Sequence, residues 1–90
     1  MLKILEDLVT LARERKKNPV VGSYTNKLLE DKFLAKEKIL EEIAELIESV
    51  EKNTNKVHEA ADVFYHLIIY LEKNGIKLED VMKELSKRKK

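Results

Sequence analysis

Two clusters of acids, placed as mirror images along the chain, constrain this 90-residue sequence more than any other feature. Glu41, Glu42 and Glu45 form an E-E-x-x-E, and Glu59 and Asp62 form an E-x-x-D. Both fall in stretches of helical periodicity, where residues three or four apart share a face. Glu42 and Glu45 stand as far before residue 52 as Asp62 and Glu59 stand after it. If two helices fold back on each other there, Glu42 lies level with Asp62, and Glu45 with Glu59. The best local turn signal, Asn53-Thr54-Asn55, sits beside that midpoint. Carboxylates facing one another repel. A hard cation such as Mg²⁺, which takes oxygen ligands, would neutralise them. An antiparallel helix hairpin lined with acids is therefore a candidate metal site.

The rest of the chain also reads as helix. One Pro and two Gly leave few breakers. Leu2, Leu5, Leu8, Val9 and Ala12 keep helical spacing over residues 2–17, and Asn18-Pro19 ends that helix. Gly22 permits a tight turn, and Ser23 is placed to cap a short helix over residues 24–29. A longer helix is predicted over 32–51, with Leu40, Ile43, Ala44, Ile47 and Val50 as its apolar stripe. The next, over 55–73, ends at Asn74-Gly75. Its apolar face spans Val57, Ala60, Ala61, Phe64, Leu67, Ile68 and Leu71, and Glu59, Asp62 and His66 fill the narrow gap that remains. A last helix is expected over 78–87, with Val81, Met82 and Leu85 inward. The predicted fold is an all-α bundle of four main helices and a short one, in a single domain.

Composition narrows the function classes. A net charge of +1 gives no bulk attraction to nucleic acid or to an anionic membrane. The absence of Cys excludes disulfides, thiol catalysis and thiolate zinc sites, and fits a cytoplasmic protein. The longest apolar run, around residues 63–71, is too short to span a bilayer. A chain of 90 residues buries only a modest core, and the helix over 55–73 is apolar on more of its circumference than one such monomer covers. A homodimer is the expected remedy.

Each candidate site has a plainer alternative. The E-E-x-x-E by itself is an ordinary solvated helix face. The E-x-x-D lies on a helix otherwise expected to be buried, where an unpaired carboxylate is costly, so its acids need Lys, Arg or a metal. His66, one turn beyond Asp62, is expected to be a structural hydrogen-bonding residue, and Tyr65 and Tyr70 core or dimer contacts. Ser23-Tyr24-Thr25 is either a capped turn or, at a helix N-terminus beside a Gly, a holder of phosphate or ribose oxygens.

The acid pattern resembles the all-α nucleoside triphosphate pyrophosphohydrolases, the MazG-like superfamily. Three stretches narrow the match: Gly22-Ser23-Tyr24-Thr25-Asn26-Lys27-Leu28, then Glu59-Ala60-Ala61-Asp62-Val63-Phe64-Tyr65-His66-Leu67, then Gly75-Ile76-Lys77-Leu78-Glu79-Asp80-Val81. In that order they resemble the phosphoribosyl-ATP pyrophosphohydrolase family of histidine biosynthesis, over nearly the whole chain. The chain departs from the family pattern at Glu30-Asp31-Lys32, where a Gly is usual, and at Glu37-Lys38-Ile39-Leu40, where one Lys of a pair and a Gly are missing.

The resemblance implies an enzyme that hydrolyses the α–β phosphoanhydride of phosphoribosyl-ATP, with Mg²⁺ or Mn²⁺ as cofactor. It implies Glu42, Glu45, Glu59 and Asp62 as metal ligands, and Glu41 as an outer ligand or the base that orients water, with Glu42 beside it in the catalytic pair. Ser23, Tyr24 and Thr25 would contact the substrate's phosphate or ribose, and Arg15 and Lys38 its phosphates. It further implies a dimer, in a form without the cyclohydrolase domain fused to some members. Two rivals share parts of this pattern: a housecleaning nucleoside triphosphate pyrophosphohydrolase, and a non-catalytic helical interaction domain.

Overall fold

A computed structural model describes residues 2–89, and these form five helices and no strand. They are α1 (Lys3–Lys17), α2 (Tyr24–Glu30), α3 (Leu34–Lys52), α4 (Lys56–Lys73) and α5 (Leu78–Arg88). The all-α expectation holds. None of these helices is long and apolar enough to cross a membrane.

The helix ends follow local chemistry. Ser23 caps α2 by accepting from the Asn26 backbone N–H at 3.2 Å. α3 starts later than its periodicity suggests, because Asp31 gathers the chain just ahead of it. The Asp31 Oδ1 accepts from the backbone N–H groups of Phe33 and Leu34 at 3.0 and 3.1 Å. Those bonds hold its carboxyl below the ordinary range. Between α3 and α4, Asn53 and Asn55 take the left-handed conformation that Asn tolerates better than most side chains, with φ of 55° and 43°. The Thr54 N–H reaches back to the Ser49 carbonyl at 2.9 Å and closes the end of α3. At the end of α4, Gly75 turns with φ of +71°, and the Ile76 N–H bonds the Leu71 carbonyl at 2.9 Å.

The core sits where four helices meet. Ala12 of α1, Leu28 of α2, Ala35 of α3 and Ile69 of α4 are buried together, with Leu29, Leu34, Tyr65 and Tyr70 packed around them. The two alanines let the helices approach closely. α3 and α4 make the most extensive helix contact of the fold. α5 has no buried residue and is tied down by an ion-pair bridge. The Arg13 Nε donates to Glu72 at 2.9 Å, and its Nη2 donates to Glu79 at 2.7 Å. The bonds from Arg13 push the Glu79 carboxyl down to about 2.

Two expectations about buried faces are overturned. The apolar stripe of α3 does not face the core: Leu40 is 62% exposed and Ile47 54%, and Ile43 and Val50 are exposed with them. On α4, Val57 is 86% exposed and Phe64 54%; Ile68 of the expected face is buried, together with Ile69 beyond it, and Tyr65 packs against the core as a core contact should. The residues turned inward instead include Glu42, Ser49, His66 and Glu72. The cause is coverage. The core touches α3 near its start, at Ala35, and α4 near its end, at Ile69, so the remaining apolar length of the pair has no third helix over it. On α5, Val81 is half-buried but Met82 and Leu85 are exposed, because that helix lies chiefly against α4 alone.

Truncating the fully buried Ile69 tests where this core lies. Ile69→Ala is expected to lower unfolding stability by about 2–5 kcal/mol, read by urea denaturation at fixed protein concentration.

Candidate active site

The acids gather in two groups, one per helix. One carboxylate oxygen from each of Glu41, Glu42 and Glu45 lies within 4.8 Å of the others. On α4, ligand atoms of His58, Glu59 and Asp62 do the same. Glu42 is only 5% exposed. Its Oε1 lies 3.4 Å from the Lys38 ammonium, while its Oε2 is buried with no hydrogen-bond partner in the protein. The Oε2 of Glu59 is buried and unpartnered in the same way. Leaving a carboxylate oxygen out of water without a partner is costly, and several such groups together point to a missing positive charge.

Glu45 records the charge of both helices. The negative charge of Glu42 raises its pKa most, followed by burial and by the charges of Glu59 and Glu41. Lys38 answers part of this charge, with its ammonium 3.3 Å from Glu41 and 3.4 Å from Glu42. Burial works to lower the Lys38 pKa, but its bonds to Glu41 and Glu42 outweigh that and hold it above the ordinary lysine value. The set of crowded carboxylate oxygens, two of them unpartnered, fits a hard divalent cation.

The Ser23-Tyr24-Thr25 segment is riveted to α4, one side chain to one. The Tyr24 hydroxyl bonds His66 Nε2 at 2.9 Å, and the Thr25 hydroxyl bonds the Tyr65 hydroxyl at 2.5 Å. His66 Nδ1 lies 2.7 Å from the Asp62 backbone carbonyl. A carbonyl only accepts, so Nδ1 carries the proton and Nε2 accepts from Tyr24. His66 is thus the structural hydrogen-bonding residue anticipated, and it ties the segment to the backbone of an acid. Burial raises the Tyr24 pKa, the positive charge of Lys38 opposes this, and the charges of Glu42 and Glu41 add to it. Segment and acids therefore share one electrostatic neighbourhood.

The other residues read as substrate contacts are engaged with one another or with the protein. Arg15 donates to the Ser23 hydroxyl at 2.6 Å. Thr25 is buried with its hydroxyl engaged, whereas Ser23 is half-buried and Tyr24 exposed. Both border a hollow of about 570 Å³, together with Val20, Gly22 and Lys27. Two residues carry more than their sequence context suggested. Asn26 is buried, donates to the Arg15 carbonyl at 2.9 Å and accepts from the Val20 N–H at 2.9 Å, so it sets the shape of the loop. His58 places Nε2 3.4 Å from Asp62 Oδ2. Its spacing of four residues from Asp62 was the available signal.

The raised pKa of Glu45 has a definite consequence for stability. A carboxyl whose folded pKa lies above its unfolded one favours the fold while protonated, and loses that contribution as pH rises through the folded value. Glu45→Gln is therefore expected to melt at a higher temperature than the wild type in metal-free buffer at neutral pH. The gap should close on acidification to below the ordinary glutamate value. Thermal melts of both proteins across pH check this, and a gap that widens in acid would contradict it.

Comparison with known proteins identifies the family. The family model for phosphoribosyl-ATP pyrophosphohydrolase matches residues 5–89. The chain is 45% identical over 92 residues to the phosphoribosyl-ATP pyrophosphatase of Clostridium acetobutylicum, covering 96% of this chain and 81% of that protein. It is 45% identical over 93 residues to the protein of the same name from Bacillus mycoides, covering 98% and 85%. It is also 40% identical to the histidine biosynthesis bifunctional protein HisIE of Pyrococcus furiosus, covering 99% of this chain and 43% of that protein. No solved structure matches. The residues matched run from α1 to the end of α5, and the chain belongs to the phosphoribosyl-ATP pyrophosphohydrolase family.

Proposed function

We infer that this chain hydrolyses phosphoribosyl-ATP to phosphoribosyl-AMP and pyrophosphate, the second step of histidine biosynthesis, in the cytoplasm and with Mg²⁺. Water adds to phosphorus and the α–β phosphoanhydride breaks. The observation that carries this reading is the buried, unpartnered Glu42 beside a hydroxyl-bearing segment anchored to α4. Family membership and the names of the relatives supply the substrate.

Glu42 and Glu45 of α3 with Glu59 and Asp62 of α4 would hold the cation. When bound, Mg²⁺ neutralises charge on phosphate oxygens and acidifies a bound water. Glu41, whose side chain is 52% exposed, is free to orient water at the rim. Lys38, a compact positive charge beside Glu41 and Glu42, is placed to contact a substrate phosphate. Ser23 and Tyr24 face the hollow and contact substrate, with Arg15 steadying Ser23. Thr25 locks the segment onto Tyr65.

The working unit is a homodimer. Leu40, Ile43, Ile47 and Val50 on α3 and Val57, Phe64 and Leu67 on α4 form an uncovered apolar surface on a small chain. Burying a side chain of that size contributes about 1.5–3 kcal/mol. A second copy offers the same stripe, and a two-fold axis pairs each stripe with itself.

The purified protein is expected to release pyrophosphate from phosphoribosyl-ATP, to lose that activity in EDTA, and to act far less on ATP or dCTP. Glu42→Gln should reduce the rate by roughly 10²–10³, the scale of losing one preorganised charge contact. Release chiefly from ATP or dCTP would sink the substrate assignment and leave the acid site standing. Light scattering on a sizing column should give twice the chain mass for the wild type. It should give the single-chain mass for Phe64→Asp, and a monomeric wild type would refute the dimer.

A further inference from the structure

His58 is not used by the mechanism above. It stands in the first turn of α4 with its ring 73% exposed, four residues before Asp62. We propose that His58 supplies a nitrogen donor to the cation held at Glu59 and Asp62, so that this chain favours a later first-row divalent cation such as Co²⁺, Ni²⁺ or Zn²⁺ beyond what carboxylates alone would give. The proposal rests on the acids being a cation site, and its test separates the two.

Geometry supports the donor role. His58 Nε2 and Asp62 Oδ2 are 3.4 Å apart. Two ligands on a tetrahedral ion, each about 2.1 Å from the metal, are separated by about 3.4 Å. Glu59 offers an oxygen within 4.8 Å of both, which small side-chain rotations bring onto the same ion.

A surface His–Asp pair on one helix face is the ordinary alternative. That pairing leaves the site unfinished, because the imidazole stands with Asp62 while Glu59 Oε2 remains buried and unpartnered. On α3 the Oε2 of the nine-tenths-buried Glu42 also lacks a partner, although its Oε1 meets Lys38. A cation at Glu59 and Asp62 would serve the orphaned oxygen and the ring together.

The chain has two histidines, so the donor is identifiable by elimination. His66 is buried, with Nδ1 given to the Asp62 carbonyl and Nε2 to Tyr24. His58 is the histidine at the edge of the acids with room to turn. Imidazole adds little to Mg²⁺ binding but favours the later divalent ions of the first transition row, so His58 acts on selectivity more than on overall affinity.

The test uses the intact protein loaded with Mn²⁺, and pulsed electron paramagnetic resonance to detect a directly bound nitrogen. The wild type should show ¹⁴N modulation that changes on ¹⁵N-histidine labelling and vanishes in His58→Gln. Calorimetric titration should give Co²⁺ and Zn²⁺ dissociation constants raised about tenfold or more by His58→Gln. The Mg²⁺ constant should move by less than about twofold. An unchanged melting temperature of the metal-free variant confirms its fold. Mn²⁺ bound without nitrogen modulation, or modulation that survives His58→Gln, overturns the proposal and leaves the cation site intact. A wild type that binds neither Mn²⁺ nor Mg²⁺ overturns the cation site, and the proposal with it.

Discussion

The carboxylate of Glu42, held out of water with one oxygen unpartnered, is the constraint around which the fold is arranged. To bring acids of α3 and α4 inward, the two helices must turn their polar faces toward the interior. Their apolar faces then have nowhere to go but out. A bundle optimised for its own stability would do the reverse, since buried apolar side chains stabilise and buried unpaired charges cost. The small core of Ala12, Leu28, Ala35 and Ile69 offsets that cost at one end of the pair only. Stability has been surrendered where the acids lie, as is common at functional sites.

Much of this was legible in the sequence. Helical periodicity, the Asn53–Asn55 turn and the Asn74-Gly75 stop gave the helices to within a few residues, because each signal is local. The direction of burial was not legible. Periodicity shows that a helix has an apolar face, but what covers that face depends on helices distant in sequence. Hence Leu40 and Phe64, both on apolar stripes, are exposed. Arg13 illustrates the same limit. Nothing local in the sequence names its partner, yet it closes on Glu72, 59 positions away. Asp31 was hidden for a different reason, since its cap acts from outside the helix it starts.

Within the candidate site, the residue types were readable and their pairing was not. The Ser23-Tyr24-Thr25 segment and the Tyr65-His66 pair stood out as separate motifs. The structure joins them, Tyr24 to His66 and Thr25 to Tyr65. Each hydroxyl thus serves a neighbour on α4 before it serves any ligand, which fixes the segment at little entropic cost on binding. Asn26 completes the arrangement from beneath by bonding both strands of the loop, a role that no spacing rule announces.

The bridge from Arg13 to Glu79 gives the C-terminal helix a character of its own. Its attachment is charged and substantially exposed, with side chains 38% and 57% accessible. Attraction between exposed charges weakens as ions crowd around them, whereas packing does not. α5 is thus the element whose seating answers to the electrolyte around the molecule, opening in local excursions while the alanine-lined core stays shut. Ionic strength acts on this chain first at its far end, where Glu79 lies 66 residues from the arginine that holds it.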